Sequence, residues 1–550
     1  MEKHYKKILK DNDERVIYYL RRQENNLSNP LYGGFYDENH IVQAKYAIYG
    51  VTYMISAYCN SESSFYNKEK VYNSIMLGLD YIKGVQHENG LFDYVTCNFL
   101  SAPDTAFCIE KLIPVLEYLN GKQDRTLEET SIREKVESIV KAGAYGLLEG
   151  GFHTPNHRWF IAATLVKASQ LFGDEHLKEA AFQYLNEGID SSQDGEYAEK
   201  STGNYNRVNN DAMITLSEVL GDEQYDQYAV RNLRLMLTYW EPDDSVFTAN
   251  STRFDKDLMV YPEGYYMEYL KMGMKYKVPE FLQMCNYIFD IIEEKRIDSP
   301  DILINFMLNP EYRSIEVEGS YIQPDFRKFY NWSGTYRSRQ GGFTVTAMRE
   351  KSDFLYFHNG TIKLAMKVAG SFCEHRAFKS ETMEVEEDGT LHLQQTMIGW
   401  YYLPFKEKPS TSDWWEMDHS KREKKIGPNM KIDVYVRHVA GGIDVQVKTE
   451  GVQGAPWRIE LALGGVDYLD NEHVTLPVNG SEVLVIRDGF LEAYNKHDSL
   501  LIGPCFGTHR FIEGKEDSES KTPGAATVYF TDYTEFDHTI QIRNRRDCEE

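Results

Sequence analysis

TPNHRW…LVKASQLFGDEHLKEAA, residues 154–181, recurs 48 residues later as TGNYNR…ITLSEVLGDEQYDQYA, residues 202–229. Thr154 falls on Thr202, Asn156 on Asn204, His157 on Tyr205, and the Gly-Asp-Glu of 173–175 on that of 221–223. A third step of 48 from Tyr205 reaches Arg253, within NSTRFD. A period of about fifty residues suits one helical hairpin with its loops, so these are successive hairpins of a repeating helical array. Equivalent positions in such an array line one face. His157, Tyr205 and Arg253 are therefore expected to converge at one end of it.

Local chemistry supports the reading. Thr154 suits an N-cap and Pro155 the first helical position, where its missing N–H costs nothing. Asn156 and His157 then stand in the first turn, beside unpaired backbone N–H groups and the positive end of the helix dipole, a setting for a carboxylate or phosphate. Ile161, Leu165, Ala168 and Phe172, spaced by four, three and four, predict one buried stripe. Repeats need matching core residues, whereas His, Tyr and Arg recurring in phase are dissimilar polar groups and point to a site.

Working outward, the chain up to about residue 300 reads as helix after helix. Segments such as VYNSIMLGLDYIKGV (71–85), CIEKLIPVLEYLNG (108–121) and QYAVRNLRLMLTYW (227–240) carry apolar residues three and four apart. From about Gly334 the pattern becomes short, β-branched and alternating, as in GGFTVTAMRE (341–350), KIDVYVRHV (431–439) and GIDVQVKTE (442–450). The expected organisation is a helical domain over 1–310, a connection over 311–333 and an antiparallel β domain over 334–550.

Composition bounds the function. At 550 residues the chain exceeds one core. A formal net charge of −25 argues against a nucleic-acid partner, and an acidic ligand must meet a locally basic pocket. No run of 18 apolar residues suggests a membrane partner, and MEKHYKKILKDNDERVIYYLRRQ has no apolar leader core, so a cytoplasmic location is expected. Seven scattered cysteines, Cys548 among them, lack CxxC spacing and read as free thiols. No Rossmann or Walker glycine pattern and no metal-ligand spacing appears, so no cofactor and no metal are expected. A homo-oligomer is left open.

These residues resemble the polysaccharide lyases built from an (α/α) toroid and an antiparallel β-sandwich: the heparinase II/III-like, alginate oligo-lyase and chondroitin/hyaluronate lyase groups. The resemblance implies an incomplete (α/α) toroid of helical hairpins followed by a β-sandwich. It also implies that an Asn or His near the start of an inner helix neutralises a uronate carboxylate, a role falling here on Asn156 and His157. A Tyr about fifty residues on, matched by Tyr205, serves as base, acid or both, and an Arg follows at Arg253. DGEYAEKSTGNYN (194–206) is similar to the family's stretch leading to that Tyr, with Lys200 where the chondroitin group has a His. The heparinase-like group adds a His from the β domain, for which His358 and His375 are the candidates.

The chemistry explains the residue types. β-Elimination at a 4-linked uronate removes the C5 proton and expels the C4 oxygen, and neutralising the carboxylate stabilises the developing enediolate. Asn156, His157 and Arg158 or Arg253 would supply that, and Tyr205 would carry the proton. Arg158, Asn204, Asn98, Lys200, His358 and Trp414 (in DWWEMDH, 413–419) complete the expected substrate contacts. The expected partner is an acidic oligosaccharide, cleaved to an unsaturated uronate. Two other readings stand: a glycoside hydrolase, needing two carboxylates from among Asp194, Glu196, Glu199 and Glu263, and a non-catalytic carbohydrate-binding protein.

Overall fold

A computed structural model describes residues 1–151, 154–512 and 521–545. Cys548 and the rest of 546–550 lie outside the described residues. By compactness the chain divides into two units: Met1–Leu237 with Asp244–Gln323, and Thr238–Asp243 with Pro324 onward.

The first unit is helical: α1 (Glu2–Leu20), α2 (Ala44–Cys59), α3 (Glu69–Val85), α4 (Ala102–Gly121), α5 (Leu127–Gly146), α6 (Pro155–Phe172), α7 (Glu175–Leu185), α8 (Tyr205–Leu220), α9 (Glu223–Met236), α10 (Tyr266–Tyr276), α11 (Pro279–Lys295) and α12 (Leu303–Leu308). Helices α2, α4, α6, α8 and α10 pack side by side as an inner ring, and α3, α5, α7, α9 and α11 each back their predecessor. The five hairpins make an incomplete (α/α) toroid. In the gap, α1 packs on α2 and reaches α10 and α11, where the His4 ring stacks on Phe289 at 3.9 Å and its Nδ1 lies 3.0 Å from the Tyr266 hydroxyl. Helix α12 lies against α1 and α4.

The repeated Gly-Asp-Glu is the hairpin turn. Gly173 (φ 66°) and Gly221 (φ 69°) end α6 and α8 in the left-handed conformation that a side chain resists. Asp174 and Asp222 then cap α7 and α9, each accepting at 3.0 Å from the backbone N–H two residues on. Burial separates the two rings. Outer α7 buries Leu177, Ala181 and Leu185, one stripe at spacing four. Inner α6 is buried on nearly every side, from Trp159 through Val166, so the single stripe expected there is corrected: Phe172 is only half-buried at its end. Thr154 takes the N-cap position but caps no backbone N–H, since its hydroxyl accepts from the Asn156 side chain at 3.1 Å.

The second unit is a sandwich. In one sheet the strands run side by side as Phe326–Tyr330, Thr335–Gln340, Phe343–Met348, Asp353–Asn359, Ile362–Phe372, Pro456–Gly464, Ala526–Tyr533 and Val483–Val485. All are antiparallel except the last pair. The other sheet centres on Leu391–Tyr402, Lys424–Val439, Gly442–Glu450 and Asp537–Asn544. Alternate residues such as Leu364, Met366 and Val368 of one sheet, and Ile432, Val434, Val445 and Ile540 of the other, share one apolar core. Burying each contributes about 1.5–3 kcal/mol. The segment expected as a connection over 311–333 divides: it stays with the helical unit to Gln323 and is already a strand at Phe326.

Thr238–Asp243 packs within this β unit through Glu241. Its carboxylate accepts from Arg337 Nη1 at 2.6 Å and from the Thr344 hydroxyl, and lies 2.9 Å from His358 Nδ1. Arg337 and Glu241 are both fully buried. Burial alone would push the Glu241 carboxyl up, but Arg337 and His358 hold it far below the usual carboxylate range.

Candidate functional site

The helical unit holds a cavity of about 940 Å³, lined by the five inner helices and the loops before them. That volume lies near the upper end of the roughly 300–1,000 Å³ typical of ligand sites. His157, from the first turn of α6, and Asn204 and Tyr205, from the start of α8, line it together with Arg253 and Asn98. Asn98 stands on a short strand (Asn98–Ser101) before α4 and donates to Asp104 at 3.1 Å.

Tyr205 is held by its surroundings. Its backbone N–H donates to Ser201 Oγ at 3.0 Å, and Ser201 Oγ donates to Asp255 Oδ1 at 2.8 Å. The fully buried Asp255 also accepts from the Gly203 N–H at 2.9 Å and from Ser251 Oγ at 2.7 Å, tying the loop before α8 to the loop carrying Arg253. A Cβ at Gly203 would sit 3.0 Å from Asp255 Oδ2 and from Thr248 Cγ2, so this approach favours glycine. The Arg253 guanidinium lies 5.0 Å from the Tyr205 ring centroid, and Phe254 packs edge-on to that ring at 5.9 Å. Arg253 thus comes from the long α9–α10 connection, not from a helix start as a strict third repeat would place it.

Asn156 is fully buried behind the wall. Its amide donates to both Glu199 oxygens, at 2.8 and 2.7 Å, and Glu199 lies 3.4 Å from Arg253 Nε. Burial pushes the Glu199 carboxyl up, against the opposing pull of Asn156 and Arg253. Arg158 turns away from the cavity and pairs with Glu187 at 2.7 Å and Asp190 at 2.6 Å. Lys200, half-buried with φ 50°, is not among the described lining residues. His358 belongs to the Glu241 cluster of the β unit. Trp414, half-exposed, begins a short turn of that unit and packs on His419 at 4.1 Å. His375 lies 3.3 Å from the Ile398 carbonyl in the same unit.

Solved structures share this architecture at 10% sequence identity. The xanthan lyase of Paenibacillus matches with a TM-score of 0.57, over 99% of this chain and 57% of its own length. The chondroitin AC lyase of Streptomyces coelicolor A3, solved with chondroitin sulphate, matches at 0.57 over 98% and 80%. The heparan sulfate lyase of Pedobacter heparinus matches at 0.53 over 97% and 83%. The fold is that of polysaccharide lyases. No family model and no curated protein sequence matches the chain.

Within this lyase fold the cavity departs from the basic pocket expected. Its five Lys and Arg side chains are outnumbered by seven Asp and Glu. Sequence reasoning missed the deeper ones: Glu110 and Lys111 on α4, Arg207 and Asp211 on α8, and Glu268 on α10. Burial, with Asp211 adding to it, pushes the Glu110 carboxyl up to about 7, and burial pushes Glu268 up to about 8. The available signal was a pair of charges set in the apolar run of α4 (FCIEKLIPV, 107–115), and Arg207 and Asp211 spaced i,i+4 on a helix that should be inner. Among the described residues no group of three or more His, Cys, Asp or Glu is placed to hold a metal ion, and no helix is long and apolar enough to cross a membrane.

Proposed function

We propose that the protein is a lyase that cleaves a 4-linked uronic-acid glycoside of an oligosaccharide by β-elimination. The observation that carries this is the meeting of Tyr205, His157 and Arg253 in one cavity, with the Arg253 guanidinium over the tyrosine ring. Tyr205 takes the C5 proton, the C4–O bond breaks as C4=C5 forms, and a proton returns to the leaving oxygen. The uronate carboxylate, on which negative charge grows, lies against His157, Arg253 and Arg207. Asn156 acts one step back. Its amide is taken up by Glu199, which in turn steadies Arg253, so Asn156 is a positioning residue.

The test is near-ultraviolet absorbance of the conjugated enoate during incubation with a panel of uronate-containing oligosaccharides. A rise that disappears in Tyr205→Phe supports the reading. Reducing ends released without absorbance overturn it in favour of hydrolysis. That second reading has an observation of its own: Glu110 and Glu268 hold protons near neutrality inside the cavity, as a hydrolase's general acid must. Under it Glu268→Gln, and not Tyr205→Phe, abolishes turnover.

A further inference from the structure

The elimination chemistry makes no use of the aromatic groups at the tip of one β hairpin. Strands Leu391–Tyr402 and Lys424–Val439 pair antiparallel, with Trp400 opposite Ile426 and Tyr402 opposite Lys424. Directly opposed residues of an antiparallel pair share a face, so these side chains stand together. In the inner half of the hairpin alternate residues, among them Leu393, Met397, Met430 and Ile432, enter the core. At the tip Ile398, Tyr401, Trp414 and Ile426 are exposed instead. Trp415 is 90% exposed, and its ring has no partner among the described residues. Large apolar groups gathered in one exposed patch mark a contact surface.

Charge narrows what that surface meets. Lys424 Nζ stands 3.7 Å from the Trp400 ring centroid, and the Arg422 guanidinium lies 4.6 Å from that of Tyr402 and 5.5 Å from that of Trp414. Donation to the Leu403 carbonyl at 2.9 Å fixes Arg422 there. Arg422, Lys424 and Lys425 have no carboxylate partner among the described residues. Nearby acids are engaged: Asp413 accepts from the Trp415 N–H at 3.0 Å, Asp418 from the Ser420 N–H at 3.2 Å, and Glu423 pairs with Lys406. Residues 398–430 carry six Lys and Arg against five Asp and Glu, in a chain of net charge −25. That overall charge disfavours a nucleic acid. A second copy of the chain fits less well, because lysine is depleted from the cores of protein interfaces, where its ammonium would lose hydration. A sugar ring laid on Trp415 keeps its rim in water, and a carboxylate on that rim pairs with Arg422 or Lys424.

We propose that this hairpin tip, with Trp415 as platform and Arg422 and Lys424 as cations, binds an acidic oligosaccharide outside the cavity, which none of the three lines. The choice of an acidic sugar rests on the lyase reading above. The test is fluorine NMR of the full Tyr205→Phe chain labelled with 5-fluorotryptophan, in which the Trp415 resonance is the one missing after Trp415→Phe. The probes are the hexamers of galacturonate and guluronate and a chondroitin hexasaccharide, with maltohexaose as the neutral control. At least one acidic probe should shift that resonance saturably, and Arg422→Gln combined with Lys424→Gln should weaken the apparent affinity by about fivefold. No shift with any acidic probe overturns the proposal, as does a shift that maltohexaose or the doubly substituted chain reproduces in full. A dimer in sedimentation that Trp415→Ala turns into a monomer makes the tip an interface between copies and also overturns it. Enoate absorbance from the native chain on the same acidic probes judges the lyase reading separately: without it that reading fails, while the Trp415 resonance still decides the hairpin tip.

Discussion

Two clusters of charge in the molecule, one closed in the β unit and one lining the cavity of the helical unit, are treated in opposite ways. Around Glu241 in the β unit, a guanidinium, a hydroxyl and an imidazole close on one carboxylate. Around Glu268 in the helical unit, carboxyls and a guanidinium line a cavity without partners among the described residues. The two carboxyls respond accordingly, Glu241 held far below the usual range and Glu268 pushed up to about 8. Closed charge holds a structure together. Open charge, sustained by a fold that tolerates its penalty, marks where a ligand completes the set.

The comparison breaks most visibly if the closed cluster is opened. Arg337→Met leaves Glu241 buried and unpaired and should lower unfolding stability by about 3–5 kcal/mol in denaturant titration. Adding Glu241→Gln should restore much of it, since the pair is coupled. Because the Glu241 carboxyl titrates below its ordinary 4.5, its contribution is complete above that pH and is lost as pH falls toward the folded value. On the open side, Tyr205→Phe should lower kcat by about 10²–10⁴-fold while leaving thermal unfolding unchanged. A drop in both would make Tyr205 a core residue.

Asn156→Ala sits between the two regimes. It strips Glu199 of its amide donor, at about 1–3 kcal/mol of stability, and should lower turnover through a displaced Arg253; full activity in this variant would remove Asn156 from the positioning chain. The smallest effect sharpens the contrast. Glu268 titrates at about 8, above its ordinary 4.5, so its contribution is complete below pH 4.5 and is lost as pH rises through 8. Glu268→Gln lacks that loss and should gain roughly 2 °C in midpoint over the native chain between pH 5 and 8, with no gain below pH 4.5.

What could be read in the sequence was local chemistry that repeats. The Gly-Asp-Glu turns at 173 and 221 announce helix ends and caps by composition alone, and they carried the hairpin period. Rotation about a helix could not be read in the same way. Asn156, His157 and Arg158 are consecutive, about 100° apart around the axis, and one of the three lines the cavity: Asn156 turns inward to Glu199 and Arg158 outward to Glu187 and Asp190. Arg253 was in phase by count but stands in a loop, because the repeat loses its helix start there. The deep charges escaped because an inner helix has two hidden sides, one packed and one facing the hole. An apolar run with Glu110 and Lys111 in it does not say which side they take.

Thr238–Asp243 gives the chain a different kind of constraint. These residues belong to the β unit while the helical unit supplies sequence on both sides of them. A gene fragment ending at Gln323 would encode Glu241 without its guanidinium, and one starting at Pro324 would encode Arg337 without its carboxylate. Recombination that moved the β unit whole would therefore have to carry, besides everything from Pro324 onward, a six-residue insert taken from the middle of the helical unit's sequence.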